Sequence, residues 1–326
     1  MMNRIPINQE IPLPAIGTWP PATHIFDAET AYALETALAA RRPLLVRGDP
    51  GTGKSQLARA AAQVLGRLFV AEVVHARSES QELQFQFDAV SRLGEAQALG
   101  GASEAERTRL LAPTRFLSPG PLWWVFNWQS AQRQLQACLH QPCLPEPPPD
   151  WDESKGSVLL IDEIDKADAD LPNGLLETLG NGAFSVPWVR QVVGLSTAAQ
   201  QNPPLVVITT NEERELPHAF LRRCMVSHVR MPNLELLKRR AKSQPDIDCS
   251  EKVLNRVADR LEQDREDAAE HNAQRPGQAE YLDILRALTQ MTRELPTPEA
   301  QAEEQMRLVE VICGYAFRKW GGSGVE

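Results

Sequence analysis

The chain has 326 residues, enough for one large domain and a smaller one, and at 42% hydrophobic and 24% charged its composition is that of a globular protein. A formal net charge of −9 leaves it without the positive field that draws proteins to nucleic acid or anionic lipid, and the basic run Lys238, Arg239, Arg240 reads as a solvated helix face. No apolar run reaches the length of a membrane span, the opening MMNRIPINQE lacks the apolar core of a leader, and five scattered cysteines suit reduced thiols, so a cytoplasmic protein is expected.

From the start to residue 24, Pro6, Pro12, Pro14, Pro20 and Pro21 stand among polar and small residues, a pattern that forbids helix and predicts an extended arm. Asp27 is a good N-cap for an alanine-rich helix reaching Ala40. Five short apolar runs follow: LLV at 44, FVAEVV from Phe69, VLLID from Val158, LVVIT from Leu205 and VSHV from Val226. Short, β-branched and bounded by turn or helix signals, they read as strands buried on both faces of a parallel sheet, with helices between them.

The connection between the second and third strands is far longer than an ordinary crossover. In SESQELQFQFDAVSRLGEAQ, Leu83, Phe87, Val90 and Gly94 follow helical spacing. Further on, Trp123, Trp124, Phe126 and Trp128 fall together; such a cluster can stack bases or grip a peptide, but beside a helix it reads first as core. Cys138, His140 and Cys143 lack a second ligand pair at zinc spacing and read as part of a loop, and PCLPEPPPDWDESKG is a proline-rich surface connection. After about Met231 strand signals stop, and helices are predicted from Asn233, Ser250, Gly277 and Thr297.

The stretch LLVRGDPGTGKSQLARAAA carries the chemistry. Gly48, Gly53, Lys54 and Ser55 have the spacing G-x-x-x-x-G-K-S between a predicted strand and a predicted helix. Glycine lets the backbone curl around an anion and aim N–H groups at it, and the helix N-terminus adds partial positive charge. At the end of the third strand, Asp162 and Glu163 fall where a parallel sheet presents side chains to bound phosphates. Asp162 suits Mg²⁺ held through water, Ser55 supplies a direct hydroxyl, and Glu163 can polarise an attacking water. Asn211, closing the fourth strand, either orients the same water or caps the strand end. Arg222 and Arg223, at the end of a short helix, either answer the helix dipole or reach a neighbouring subunit's nucleotide.

Together GDPGTGKS, VLLIDEID, ITTN and LPHAFLRRC resemble the Walker A, Walker B, sensor 1 and arginine-finger segments of the AAA+ ATPases. More narrowly the chain resembles the MoxR group: FDAVSRLGEAQ followed by PGPLWWVF is similar to that group's insertion in the second helix, about 84–120, and GAFSVPWVRQVV to its extra hairpin, about 182–203. The resemblance spans roughly residues 20 to 295. It implies an α/β P-loop NTPase domain over 25–231, with a parallel five-stranded sheet flanked by helices, then a small all-α lid over 232–326, after the arm at 1–24.

It further implies Mg²⁺-dependent hydrolysis of ATP in a hexameric ring of identical subunits, performing conformational work on a client protein, often with a partner that carries a von Willebrand A domain. By residue, it gives the loop Gly48, Asp49, Pro50, Gly51, Thr52, Gly53, Lys54, Ser55 and Gln56 to the nucleotide, with Lys54 on the β and γ phosphates. Ser55 and Asp162 go to Mg²⁺, Glu163 to the catalytic water, Asn211 to sensing, and Arg223, with Arg222 as helper, to the finger. One departure stands out. GQAEYLDIL offers Glu280 where the group often carries its lid arginine, and Arg275 in the preceding turn is the substitute. Two other readings share this core: a nucleotide-gated scaffold with little turnover, and a nucleic-acid-associated motor, against which the acidic balance argues.

Overall fold

The computed structural model describes residues 5–142, 144–271 and 273–317; Cys143, residues 1–4 of the arm and residues 318–326 of the helical segment lie outside them. Strands β1 (Glu10–Leu13) and β2 (Ala22–Ile25) pair antiparallel, Glu10 opposite Ile25 and Leu13 opposite Ala22. The proline-rich arm is therefore a hairpin rather than only an extended segment. Proline forbids helix but is tolerated on the edge of a two-stranded ladder, where Pro12 stands opposite Thr23.

After α1 (Ala28–Ala40) come β3 (Leu44–Arg47), α2 (Lys54–Leu65) and β4 (Leu68–Val73). The long connection contains β5 (Phe85–Phe87), α3 (Ala89–Ala98), α4 (Glu104–Leu110), β6 (Leu117–Pro119), α5 (Pro121–Phe126) and α6 (Trp128–Ala137). Then β7 (Ser157–Asp162), α7 (Asp170–Asn181), the hairpin of β8 (Ala183–Val186) and β9 (Gln191–Gly194), α8 (Thr197–Gln201), β10 (Leu205–Thr210), α9 (His218–Leu221) and β11 (Met225–His228) follow. The chain ends in α10 (Leu234–Lys242), α11 (Glu251–Glu270), α12 (Gln278–Thr292) and α13 (Pro298–Ala316).

The five apolar runs form one parallel sheet in the order β11-β3-β10-β7-β4, flanked by helices. In register, Leu205 stands opposite Val158 and Leu68 opposite Ser157, and every residue of β7 and β10 is buried. This is why those strands read as unbroken apolar runs instead of alternating ones. Backbone contacts group the residues into two compact units. One comprises mainly Glu29–Val46 and Ala58–Ser227; the other comprises Ile7–Ala28, Arg47–Leu57 and the residues from His228 onward. The phosphate-loop sequence thus clusters with the C-terminal helices.

In the first unit the sheet packs on an aromatic core. Trp123, Trp124, Phe126 and Trp128 are all buried, the Trp123 indole N–H donates to Ser130 Oγ at 3.2 Å, and its ring meets Phe184 edge-on. The tryptophan cluster is interior, and each such side chain stabilises by about 3 kcal/mol through burial. The helical spacing of Leu83, Phe87, Val90 and Gly94 does not hold. Phe87 belongs to β5, which pairs with β6, and the helix starts only at Ala89, where the Asp88 carboxylate caps the Ser91 N–H. Backbone pairing with a partner some thirty positions on overrides the local period, and Val90, at 83% exposure, faces away from any core. Cys138 is buried, its thiol donating to the His140 carbonyl.

In the second unit the side chains of Asn233, Ser250 and Thr297 cap α10, α11 and α13 by accepting a backbone N–H from the first turn, as the sequence predicts. Leu254, Val257 and Leu261 from α11 pack with Tyr281, Leu285 and Val309, and the Tyr281 hydroxyl donates to the Leu254 carbonyl. The basic run on α10 is not simply solvated. Lys238 pairs with Glu235 and Glu251, while Arg240 is buried, its guanidinium donating to the Ile25 carbonyl at 3.0 Å and to Gln278 Oε1. Among the described residues no helix is long and apolar enough to cross a membrane.

Candidate functional site

The loop between β3 and α2 has the shape that its glycines dictate. Gly48 has φ +146°, and a Cβ there would lie 2.3 Å from the Val229 carbonyl oxygen, so neither the conformation nor the space admits another residue. Thr52 Oγ1 donates to the Asp49 carbonyl at 2.9 Å, fastening the turn, and the Lys54 ammonium curls back to the carbonyls of Gly48 and Asp49 at 2.7 and 2.9 Å. Lys54 opens α2, with Ser55 and Gln56 in its first turn. A curled glycine loop, a buried ammonium and the start of a twelve-residue helix form a fitting cradle for a polyphosphate.

Within the same unit the loop is fastened to the C-terminal helices. The Ala279 N–H donates to the Gly51 carbonyl at 3.0 Å, and Gly277 comes so close to Pro50 that a Cβ on it would lie 2.7 Å from the Pro50 carbonyl oxygen. Arg265 of α11 pairs with Asp49 at 3.0 Å and donates to the Pro276 carbonyl. Glu280 accepts the Gly277 N–H at 3.0 Å, closing the first turn of α12. Arg275 is exposed and lines, together with Gly48, Asp49, Arg230 and Arg265, a cavity of about 490 Å³.

The carboxylates occupy the other unit, where adjacent β7 and β10 bring Asp162, Glu163 and Asn211 together. The fully buried Thr209 hydroxyl donates to Asp162 Oδ1 and accepts the Glu163 N–H at 2.9 Å, so one side chain fixes both acidic positions. Glu163 is in the left-handed region, φ 59° and ψ 48°, a sharp turn at the strand end. Its Oε1 accepts from Asn211 Nδ2 at 3.2 Å and its Oε2 from the Lys166 ammonium. Hydrogen bonding to Glu163 raises the Lys166 pKa above the usual lysine range. Asp165, 1% exposed, accepts the backbone N–H groups of Asn211 and Glu213 and thereby sets the course of the chain after β10.

Arg222 and Arg223 follow α9 and are exposed. Their carbonyls, and that of Cys224, accept hydrogen bonds from the Arg42 guanidinium, which anchors the segment while leaving both arginine side chains outward. Among the described residues no hydrogen bond or ion pair joins either arginine to Glu163.

Residues 43–224 match the family model described as AAA domain, dynein-related subfamily. The chain belongs to the AAA domain family. No curated protein matches this AAA chain. Among solved structures it is similar to a candidate ATPase from Cytophaga hutchinsonii, at 13% identity and a TM-score of 0.38, over 90% of this chain and 89% of that one. AAA domains bind nucleotide, which accords with the cradle around Lys54.

Four side chains in these two separate clusters of the AAA protein are not singled out by the sequence: Thr209, Asp165 and Lys166 around the strand-end carboxylates, and Arg265 beside the glycine loop. Thr209 and Asp165 lie inside the quoted segments ITTN and VLLIDEID, and a polar residue inside or just past an otherwise apolar strand was the available signal. Lys166, three residues after Glu163, was legible as a local ion pair. Arg265 lies 216 residues from Asp49 and gave no local sign.

Proposed function

We propose that this chain is a Mg²⁺-dependent ATPase of the MoxR kind, working as a ring of identical subunits to remodel or activate a partner protein. The observation that carries the reading is the cluster at the ends of β7 and β10: a carboxylate, Glu163, held in a strained turn, oriented by Asn211 and indexed to Asp162 through Thr209. A protein that only binds nucleotide has no use for a second, oriented carboxylate there. In this reading Lys54 neutralises phosphate charge, Ser55 and Asp162 would hold Mg²⁺, and Glu163 accepts the proton of the attacking water while Asn211 keeps its carboxylate aimed. Bound Mg²⁺ would supply charge compensation on the phosphate oxygens.

The outward Arg222 and Arg223 support completion of the pocket by a neighbouring copy, Arg223 as the finger and Arg222 as its helper. A client protein, with or without a von Willebrand A domain, is the proposed recipient of the work, the helical domain serving as lid.

Glu163→Gln tests this directly. The variant is expected to bind nucleotide as the unsubstituted chain does and to lose ATPase turnover; retained turnover would overturn the assignment. Arg223→Ala, with mass measurement of the assembly in ATP, tests the ring: equal activity in a solitary chain sinks it. One observation favours the alternative of a gated scaffold with little turnover, namely that Lys166 and Asn211 already occupy both oxygens of Glu163. Turnover at background level in the unsubstituted protein at every concentration would decide for that alternative.

A further inference from the structure

An acidic residue inside an anion-binding loop is an electrostatic liability. Asp49 directly follows Gly48, in the segment whose backbone curls around the phosphates, and its charge has the same sign as theirs. The carboxylate is answered from far along the chain. Arg265 Nη2 lies 3.0 Å from Asp49 Oδ2, and Nη1 donates to the Pro276 carbonyl, so one guanidinium spans the loop and the turn that leads into α12. Two further contacts fasten that turn to the loop: the Ala279 N–H on the Gly51 carbonyl and the close approach of Gly277 to Pro50. Arg265 is half-buried, at 17% side-chain exposure, against 45% for Asp49. Its geometry is held by the carbonyl as well as by the carboxylate, which an adventitious surface pair lacks. The other cations on the same cavity, Arg230 and Arg275, are exposed.

We propose that Arg265 is a positioning residue for the nucleotide. It cancels the Asp49 charge beside the phosphates and holds the loop's curve against the first turn of α12, and so sets nucleotide affinity, more for a triphosphate than for a diphosphate. This rests on the nucleotide-binding reading of the loop. It also accounts for the absence of an arginine at the start of α12: the cation that meets the phosphate loop comes from α11 instead.

The test is fluorescence titration of the full chain with N-methylanthraniloyl-ATP and the matching ADP derivative. Arg265→Ala is expected to weaken the ATP derivative about 10-fold and the ADP derivative about 6-fold, because an uncompensated unit charge near the loop acts in proportion to phosphate charge. Adding Asp49→Asn to Arg265→Ala removes that charge, and binding is expected to return to within about 2-fold of the unsubstituted chain. A purely structural clasp predicts no such rescue, so a double variant as weak as Arg265→Ala overturns the proposal, as does Arg265→Ala with unchanged affinities. Should Arg265→Ala fail to fold by circular dichroism, Asp49→Asn alone decides: it is expected to bind the ATP derivative at least as tightly as the unsubstituted chain, and weaker binding refutes the charge argument. No binding of either derivative by the unsubstituted chain would instead overturn the nucleotide reading, and this inference with it.

Discussion

Replacing Thr209 by valine puts a methyl group where a hydroxyl serves two acidic positions at once. The side chain is fully buried and the substitution nearly isosteric, so packing is preserved and the polar loss is isolated. Two hydrogen bonds disappear: one donated to the Asp162 carboxylate, worth about 2 kcal/mol as a charge-assisted bond, and one accepted from the Glu163 N–H, worth about 1 kcal/mol. The sum, about 3 kcal/mol, corresponds to a fall of about 6–12 °C in melting temperature for a domain of this size. Thermal and urea denaturation of Thr209→Val and Thr209→Ser would measure it, the serine variant keeping the hydroxyl and most of the stability. A second reading comes from kinetics, since the Glu163 backbone loses its tether: under the proposed function kcat is expected to fall more than nucleotide affinity, which that proposal assigns to the loop around Lys54. A Thr209→Val protein within about 0.5 kcal/mol of the unsubstituted chain would show that the shared hydroxyl organises nothing.

Lys166→Ala is expected to leave stability within about 0.5 kcal/mol, because Lys166 and Glu163 are 41% and 28% exposed, and, under the proposed hydrolysis, to raise kcat by freeing one oxygen of the Glu163 carboxylate; steady-state kinetics checks this. The raised Lys166 pKa means that the lysine's contribution is fully present below the ordinary lysine value of 10.5 and is lost as pH climbs through the raised value. His24 acts in the opposite pH range. Burial, aided by the nearby Arg240 guanidinium, pushes its imidazole down from 6.5 to about 3, so the unfolded chain binds the proton first and stability falls as pH drops below 6.5. Between pH 7.5 and pH 5 the loss is about 2 kcal/mol by urea denaturation, and His24→Leu is expected to abolish that slope. Arg42→Ala removes the guanidinium that gathers three successive carbonyls; under the proposed ring, ATPase activity is expected to fall while nucleotide affinity holds, as read by paired turnover and binding assays.

Local signals carried the sheet and the helix starts. The stretches 158–161 and 205–208 are apolar throughout because they are covered on both faces, and the caps at Asn233, Ser250 and Thr297 announce their helices within three residues. What stayed hidden depends on partners distant in the chain. Phe87 fits a helical period as well as a strand until Leu117 pairs with it, and the two strands of the proline-rich arm exist only through each other. Arg240 looks like any basic helix residue until Ile25 and Gln278 meet it. Around the site, the nucleotide loop and the acidic strand end were legible as types in a pattern. Thr209, Asp165 and Arg265 were not, because their roles consist of holding other residues.

The backbone of Glu163 has a consequence for anyone selecting sturdier versions of this protein. A left-handed glutamate is paid for with about 1 kcal/mol of conformational strain, which glycine or asparagine would relieve. A screen by heat resistance alone is therefore expected to enrich Glu163→Gly and Glu163→Asn, robust chains without the carboxylate that the proposed hydrolysis requires, unless turnover is selected alongside.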